Sequence, residues 1–443
     1  MGKLFGTDGV RGIVNETLTA ELATRIGEAS AYVLGNGKKV NVVIGRDTRY
    51  SGDMLLFAVS AGLISRGANV IDLGVIPTPA VSYLIKETNA DMGIMISASH
   101  NPSEHNGIKL FNNEGFKLPD DIENKIEHYI LEEEVPVSSN LGTFITNDKY
   151  KYDYVNYLIK TIEKIDNMKV VVDASNGSAS VTAPILFDKL GIDATIINKD
   201  YDGYNINKDC GSTHMNNLIE KVRELKADIG IAYDGDADRC LLVDELGNIV
   251  DGDFIMAICG KYLKDNSRLT NNTIVGTVMS NLGLKKFCEK ENINFVDTKV
   301  GDRYVLENML ANNYIIGGEQ SGHIIFKELS NTGDGELTSL QVLEILSKTK
   351  KKLSELKSIM ISYPQVLVNV AVTKEGKKLY VSDEEINNLI KKTQDELKDN
   401  GRVLIRASGT EDLVRVMIEG TDTDIIQKQA DGIAKKIKTK YGK

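Results

Sequence analysis

Tryptophan is absent from the 443 residues, and only four cysteines occur. Without an indole platform for stacking a ring-shaped ligand, selectivity must come from polar contacts. Cys210, Cys240, Cys259 and Cys288 form no Cys-x-x-Cys pair and sit in or near apolar runs, so reduced structural thiols are expected rather than disulfides or zinc. No Walker phosphate loop, dinucleotide glycine fingerprint or Gly-x-Ser-x-Gly elbow is present, which removes support for nucleotide hydrolysis, hydride transfer and acyl hydrolysis. Near the amino terminus no apolar stretch has the length of a signal peptide or membrane span, and Gly6 stands where a myristoylation signal needs serine or threonine. Basic excess is lacking too. The 63 acidic and 53 basic residues leave a net charge of −10, which argues against a general nucleic-acid or anionic-membrane surface. A soluble, untargeted, cytoplasmic protein is expected.

What is present is a threefold pattern: a β-branched run, a turn of small polar residues, a helical stretch and a second apolar run. It connects Val42–Gly45 to Ala68–Ile71, Val170–Asp173 to Asp193–Ile197, and Thr273–Gly276 to Asn294–Val296. Such alternation indicates βαβ units and helix-covered sheets. The expected fold is α/β, with three similar α/β domains carrying helix-covered mixed sheets and a smaller C-terminal α+β domain. Composition shifts place the boundaries at 1–142, 143–252, 253–364 and 365–443, with a helix near Tyr152 to Ile165 opening the second domain. The last domain reads strand, helix, strand, turn, strand and a closing helix from about Asp424 to Lys438.

Four segments carry chemistry. Ser99, in Ser97-Ala98-Ser99-His100-Asn101-Pro102, follows the apolar run Met92–Ile96 and should sit just past a buried strand, where α/β domains hold ligands. His100 would place a polar ring beside the hydroxyl, and Lys109 lies ten residues on; a capping serine in an ordinary turn is the plain alternative. Asp234, Asp236 and Asp238, followed by Arg239, can present three oxygens to one hard cation. An EF-hand reading also fits Asp234, Asp236, Asp238 and Glu245, but Arg239 stands where that loop needs glycine, and both flanks read as strands. A solvated hairpin turn is the third alternative. Gly317 through His323 combines Glu319, Ser321 and His323 on flexible backbone, suited to sugar hydroxyls or an amine. Arg406, Ser408, Gly409, Thr410 and Arg415 form a compact anion cradle, and Arg11 in the amino-terminal glycine-rich loop could add a phosphate contact. Together these features suggest phosphoryl transfer.

With these motifs in order, the chain resembles the α-D-phosphohexomutase family along essentially its whole length. Within it, Gly318-Glu319-Gln320-Ser321-Gly322-His323 is similar to the branch acting on glucosamine phosphates, Gln320 standing where glucose and mannose mutases usually carry methionine. Phe5 to Gly12, Asn205-Ile206-Asn207 and Cys210 through His214 match that branch too. The resemblance implies a phosphoserine at Ser99 and one Mg²⁺ held by Asp234, Asp236, Asp238 and a Ser99 phosphate oxygen. It implies interconversion of glucosamine 6-phosphate and glucosamine 1-phosphate through a 1,6-bisphosphate, on the route to UDP-N-acetylglucosamine. Lys109 and His323 would handle protons, with Arg239 and His100 beside the reacting group. Glu319 and Ser321 would hold the sugar, while Arg406, Ser408, Gly409, Thr410 and Arg415 would hold the phosphate at rest on a separately mobile last domain. A homodimer is a further expectation of the resemblance. Ala237, Ala407 and Asp412 depart from the family pattern, and Asp412 puts negative charge beside the cradle. A phosphomannomutase or phosphoglucomutase is the rival enzyme, and a catalytically silent sugar-phosphate sensor the rival of another class.

Overall fold

The computed structural model describes residues 4–6, 8–36, 38–136, 138–408 and 411–443. The chain divides into two units, Met1–Met279 with Asn292–Ile359, and Ser280–Glu291 with Met360–Lys443. Among the described residues no helix is long and apolar enough to cross a membrane. All four cysteines are buried and free. Burial pushes the Cys210 and Cys259 thiols up to about 12, as expected of structural thiols.

The larger unit contains three sheets, each ending in a loop of chemical interest. The first has six strands in the order Val10–Ile13, His105–Asn112, Met92–Ile96, Asn41–Arg46, Asn69–Val75 and Phe144–Thr146. Asn41–Arg46 pairs in parallel with both neighbours, while His105–Asn112 runs antiparallel to both of its own. The Val42 to Ile44 and Met92 to Ile96 runs are buried throughout, which is why they read as continuous apolar segments rather than alternating ones. On this sheet the helices Ala20–Gly35 and Gly52–Ser65 approach closely because Gly27 and Gly62 face backbone carbonyls of Val59 and Thr24, where a Cβ would collide.

The second sheet runs Ile249–Val250, Cys240–Asp244, Ile229–Tyr233, Lys169–Asp173, Asp193–Ile197. Its antiparallel pair, in register from Cys240↔Tyr233, makes the acidic segment a hairpin loop. The third sheet runs Asn294–Thr298, Thr273–Thr277, Ile316–Gly318, Ile324–Phe326, and its last two strands carry Glu319 to His323 between them. One local expectation is corrected. The helix near Tyr152 to Ile165 is Tyr150–Lys160 and stops at Thr161. Beyond it the Glu163 and Asp166 amides donate to Glu344 Oε1 and Ser347 Oγ, both at 2.9 Å, so side chains of a distant helix replace the intrahelical carbonyls.

The smaller unit is a three-stranded antiparallel sheet, Gln365–Ala371, Leu413–Gly420, Gly401–Ala407, backed by the helices Glu384–Leu397 and Thr423–Tyr441. Val366, Val370, Val414, Val416 and Ile418 pack on Ile426, Ile433 and Ile437 of the closing helix. The helix Leu282–Lys290 belongs to this unit as well: the Leu282 amide donates to Glu419 Oε2 at 3.2 Å and the Asn281 side chain to the Tyr363 carbonyl at 3.0 Å.

Candidate active site

Ser99 lies three residues past the buried strand Met92–Ile96 and is itself buried, with a left-handed φ of 52°. A serine takes this conformation at a cost that its surroundings must offset. Here they do. Ser97 Oγ accepts from the Ser99 amide at 2.9 Å and donates to Asp47 Oδ2 at 2.6 Å. The fully buried Arg49 pairs with Asp47 and donates to the carbonyls of Ser99 (2.9 Å), Asn101 (2.8 Å), Pro102 (2.5 Å) and His105 (3.0 Å). From the second sheet's side, Asn207 Nδ2 donates to the same Ser99 and Asn101 carbonyls at 2.9 and 3.2 Å. The loop is thus clamped from two directions, leaving Ser99 Oγ aimed at Asp234 Oδ2 at 2.5 Å.

Asp234, Asp236 and Asp238 are all buried, and their ligating oxygens lie within 4.8 Å of one another. Flanking strands exclude the EF-hand reading. Glu245, at the far end of the hairpin, is taken instead by the Ser354 hydroxyl at 2.5 Å. Asp236 Oδ2 accepts from Thr78 Oγ1 at 2.6 Å and from Lys109 Nζ at 2.7 Å, yet Asp236 Oδ1 and Asp238 Oδ1 are buried without a hydrogen-bond partner. Burial, then repulsion from Asp238 and Asp236, holds the Asp234 carboxyl well above the usual range; burial and Asp236 raise Asp238 likewise. Burial opposes ionisation of Asp236 too, but Lys109 and Thr78 pull it below the ordinary value. Orphaned oxygens, crowded negative charge and an all-oxygen donor set fit a hard divalent cation. The turn places Ala237 in the left-handed region, φ 55°, where alanine costs about 1 kcal/mol more than glycine would.

Lys109 is buried on the antiparallel strand beside the serine loop, and burial alone would lower its pKa. The carboxylates of Asp236, Asp8 and Asp238 override this and raise it, so the resting residue is an ammonium. Arg11 pairs with Asp8, and burial offset by Asp8 and Asp236 leaves its pKa raised. Arg239 lies 3.9 Å from Asp238 Oδ1 through its Nε, with its amide donating to Asp234 Oδ1 at 3.2 Å. His100 Nδ1 is 3.4 Å from Ser99 Oγ; burial, then Arg239 and Arg11, pushes its pKa down to about 4, which keeps the ring neutral.

In the third loop the buried His323 accepts from the Gly333 amide at Nε2, 3.2 Å, while Nδ1 has no partner. Its Nε2 faces Asp302 Oδ2 at 3.7 Å and Asp238 Oδ2 at 4.0 Å, which joins the sugar loop to the metal loop. Glu319 Oε1 accepts from the Gly301 amide at 3.1 Å, and Ser321 is exposed. Gln320 is turned away. Its Nε2 donates to Asp251 Oδ2 at 3.2 Å, the residue that caps the helix Gly252–Asp265.

In the smaller unit, Arg406 and Arg415 occupy directly paired positions on adjacent strands, so two guanidiniums share one sheet face. Ser408 is buried, with Oγ accepting from the Glu411 amide at 3.3 Å. Arg415 donates to Glu411 at 3.1 Å, and its Nε is buried without a partner. Gly409 and Thr410 lie outside the described residues. The Asp412 carboxylate is engaged by Lys443 at 2.7 Å, which neutralises the charge that its sequence position threatened to add.

Several contributors escaped the motif reading. Asp8 and Asn207 lay inside matched segments without an assigned task, while Arg49, Thr78, Lys117 and Asp302 stood in no motif at all.

A buried serine hydroxyl resting on one of three clustered aspartates, at loops of successive α/β sheets, suits phosphoryl transfer. The chain belongs to the phosphoglucomutase/phosphomannomutase family: its α/β/α domain I matches residues 2–136, domain II 152–247, domain III 251–363 and the C-terminal domain 367–436. It is 54% identical over 449 residues to the phosphoglucosamine mutase of Acetivibrio thermocellus, covering 100% of each chain. It is 51% identical to that of Clostridium acetobutylicum, covering 99% of this chain and 100% of the other. Among solved structures, a phosphoglucomutase/phosphomannomutase family protein of Burkholderia thailandensis superposes with a TM-score of 0.84 at 25% identity, over 99% and 98% of the two chains. The N-acetylphosphoglucosamine mutase of Aspergillus fumigatus, in complex with GlcNAc-6P and magnesium, shares the fold with a TM-score of 0.69 at 19% identity, over 98% and 95%.

Proposed function

We propose that the chain interconverts glucosamine 6-phosphate and glucosamine 1-phosphate, with Ser99 as the phosphate carrier. The observation that carries this reading is the 2.5 Å contact of Ser99 Oγ with Asp234 beside two orphaned carboxylate oxygens, Asp236 Oδ1 and Asp238 Oδ1. Full-length identity above 50% to phosphoglucosamine mutases supports the choice of substrate. Asp234, Asp236, Asp238 and a Ser99 phosphate oxygen would hold Mg²⁺, which supplies charge neutralisation and polarises the phosphoryl group.

The chain's own residues account for the rest. The free sugar hydroxyl attacks the phosphorus on Ser99; an oxygen–phosphorus bond forms to the sugar as the bond to Ser99 Oγ breaks. The buried His323 ring, with Asp302 and Asp238 beside it, takes the hydroxyl proton. The resulting imidazolium meets the carboxylates of Asp302 and Asp238. Lys109, held as an ammonium, offsets charge on the departing Ser99 oxygen and returns its proton. The 1,6-bisphosphate then presents its other end, and the same steps run in reverse to rephosphorylate Ser99. Arg239 and His100 flank the reacting group, Arg11 adds positive charge, and Glu319 and Ser321 hold the sugar. Arg406, Ser408, Gly409, Thr410 and Arg415 hold the phosphate at rest.

The test is intact mass and peptide mapping after incubation with glucosamine 1,6-bisphosphate and Mg²⁺. One phosphate on Ser99, removed by glucosamine 6-phosphate and absent from Ser99→Ala, is the expected result; no label at Ser99 with any hexose bisphosphate defeats the carrier role. One observation bears on the rival phosphomannomutase or phosphoglucomutase reading: Gln320 Nε2 is engaged by Asp251, so its Oε1 is the atom left to accept from an amine. Turnover of glucose 1-phosphate equal to or above that of glucosamine 6-phosphate would decide for that rival.

A further inference from the structure

Lys117 and Asp302 belong to none of the sequence motifs, but they join the two groups assigned to proton handling. Lys117 follows the hairpin beyond His105–Asn112, and Asp302 opens the helix Asp302–Asn312, where the helix dipole favours a carboxylate. Lys117 Nζ lies 2.6 Å from Asp302 Oδ2 and 2.5 Å from Asp8 Oδ1. Asp8 Oδ2 lies 3.1 Å from Lys109 Nζ, and Lys109 reaches Asp236 Oδ2 at 2.7 Å. At the other end, Asp302 Oδ2 is 3.7 Å from His323 Nε2. Charges therefore alternate along one path from the metal loop to the imidazole, with no like pair in direct contact.

We propose that Lys117 and Asp302 are positioning residues for phosphate transfer: the Lys117 ammonium fixes the Asp302 carboxylate against His323 Nε2 and the Asp8 carboxylate against Lys109. This rests on the mutase reading and adds to it the device that keeps His323 and Lys109 in one register. Three features support it. Lys117 is 13% exposed and already paired with two carboxylates, so its charge is balanced within the protein. Asp302 Oδ2 lies 3.7 Å from His323 Nε2, so a carboxylate fixed there sets where the imidazole ring sits. Finally, the adjacent residue Arg303 stitches the same seam independently, donating to the Leu118 carbonyl at 2.9 Å and Glu123 Oε2 at 3.1 Å. The seam should therefore survive loss of the Lys117 pair.

The experiment is single-turnover transfer from phosphorylated Ser99 to glucosamine 6-phosphate, with steady-state kcat and KM, in the full chain with Mg²⁺. Asp302→Asn and Lys117→Met should each lower kcat and the transfer rate by about 10- to 100-fold with KM changed by less than about threefold. The double variant should be no worse than the weaker single variant, because both break one unit. Lys117→Arg should restore part of the rate. The pairing is overturned if KM rises with kcat intact, which would make Asp302 a sugar contact. It is also overturned if the rate loss merely tracks a lowered melting temperature. A preference between glucosamine and glucose phosphates that shifts more than about tenfold in Asp302→Asn would instead make Asp302 the reader of the amine. Unaffected variants beside an active wild type sink the pairing alone, whereas a wild type inactive on every hexose phosphate sinks the mutase reading and the pairing together.

Discussion

Two carboxylate clusters share this active site and are built on opposite plans. Asp234, Asp236 and Asp238 crowd three acids into a buried loop and leave two oxygens without partners. Asp8 and Asp302, close by, alternate with Lys109, Lys117 and Arg11, so every acid touches a base. The pKa directions follow the plans. Burial raises both kinds, but cations reverse the effect at Asp8, through Lys109, Lys117 and Arg11, and at Asp302, chiefly through Lys117. At Asp234 and Asp238 the nearby acids reinforce it. One cluster is complete as protein, and the other is complete only with a cation. The difference separates what the fold holds by its own ion pairs from what could hold a metal ion.

Removing one acid from each cluster should therefore have opposite effects on the metal-free protein. The larger is Asp8→Asn, which leaves Lys109 and Lys117 short of a partner in a buried setting and should destabilise by about 3 kcal/mol. The check is the urea midpoint in chelator, and an unchanged midpoint would mean the alternating network is not coupled to stability. Asp238→Asn should do the reverse. With like charge relieved, the metal-free variant should gain about 1 kcal/mol, while the stabilisation that Mg²⁺ confers on the wild type, about 2.7 kcal/mol at one hundred times its dissociation constant, should largely vanish. Melting temperatures with and without Mg²⁺ test both halves; a variant that loses metal-free stability contradicts the crowding argument.

What was legible beforehand follows from how far each contact reaches along the chain. Ser99, the three aspartates, Glu319 to His323 and the arginine cradle each lie within a short contiguous segment, so residue type and spacing betrayed them. The sheets were legible for the same reason, since Val42–Gly45 and Val170–Asp173 carry their burial in their own composition. Arg49 acts on Ser99 from 50 residues away, Thr78 on Asp236 from 158, and Lys117 on Asp302 from 185. Nothing local marks a residue whose task is defined only by packing. Gln320 shows the converse: its place in the motif suggested a task in selectivity alone, but its Nε2 is bound to the helix cap at Asp251. Asp412, which looked disruptive as an isolated charge, is neutralised by Lys443 from the far end of the unit.

A third kind of carboxylate sharpens the comparison, because it is balanced by neutral groups rather than by ions. Asp334 caps the helix Gly335–Thr349 through the Leu337 amide at 2.9 Å and accepts from Tyr154 OH at 3.0 Å. Burial pushes its carboxyl up to about 7; backbone amides and Tyr154 only partly offset this, and Asp238 adds to the rise. An acid with a raised folded pKa binds a proton that the unfolded chain has already released. Stability from this group is therefore fully present below its unfolded value of about 4, and it falls as pH rises from there to about 7, by at most about 1.4 kcal/mol per pH unit. Asp334→Asn keeps the cap acceptor but cannot ionise, so its metal-free stability should decline less steeply than the wild type's between pH 5 and pH 7. Parallel profiles would show that Asp334 is ionised throughout, and that the hydrogen bonds from Leu337 and Tyr154 outweigh its burial.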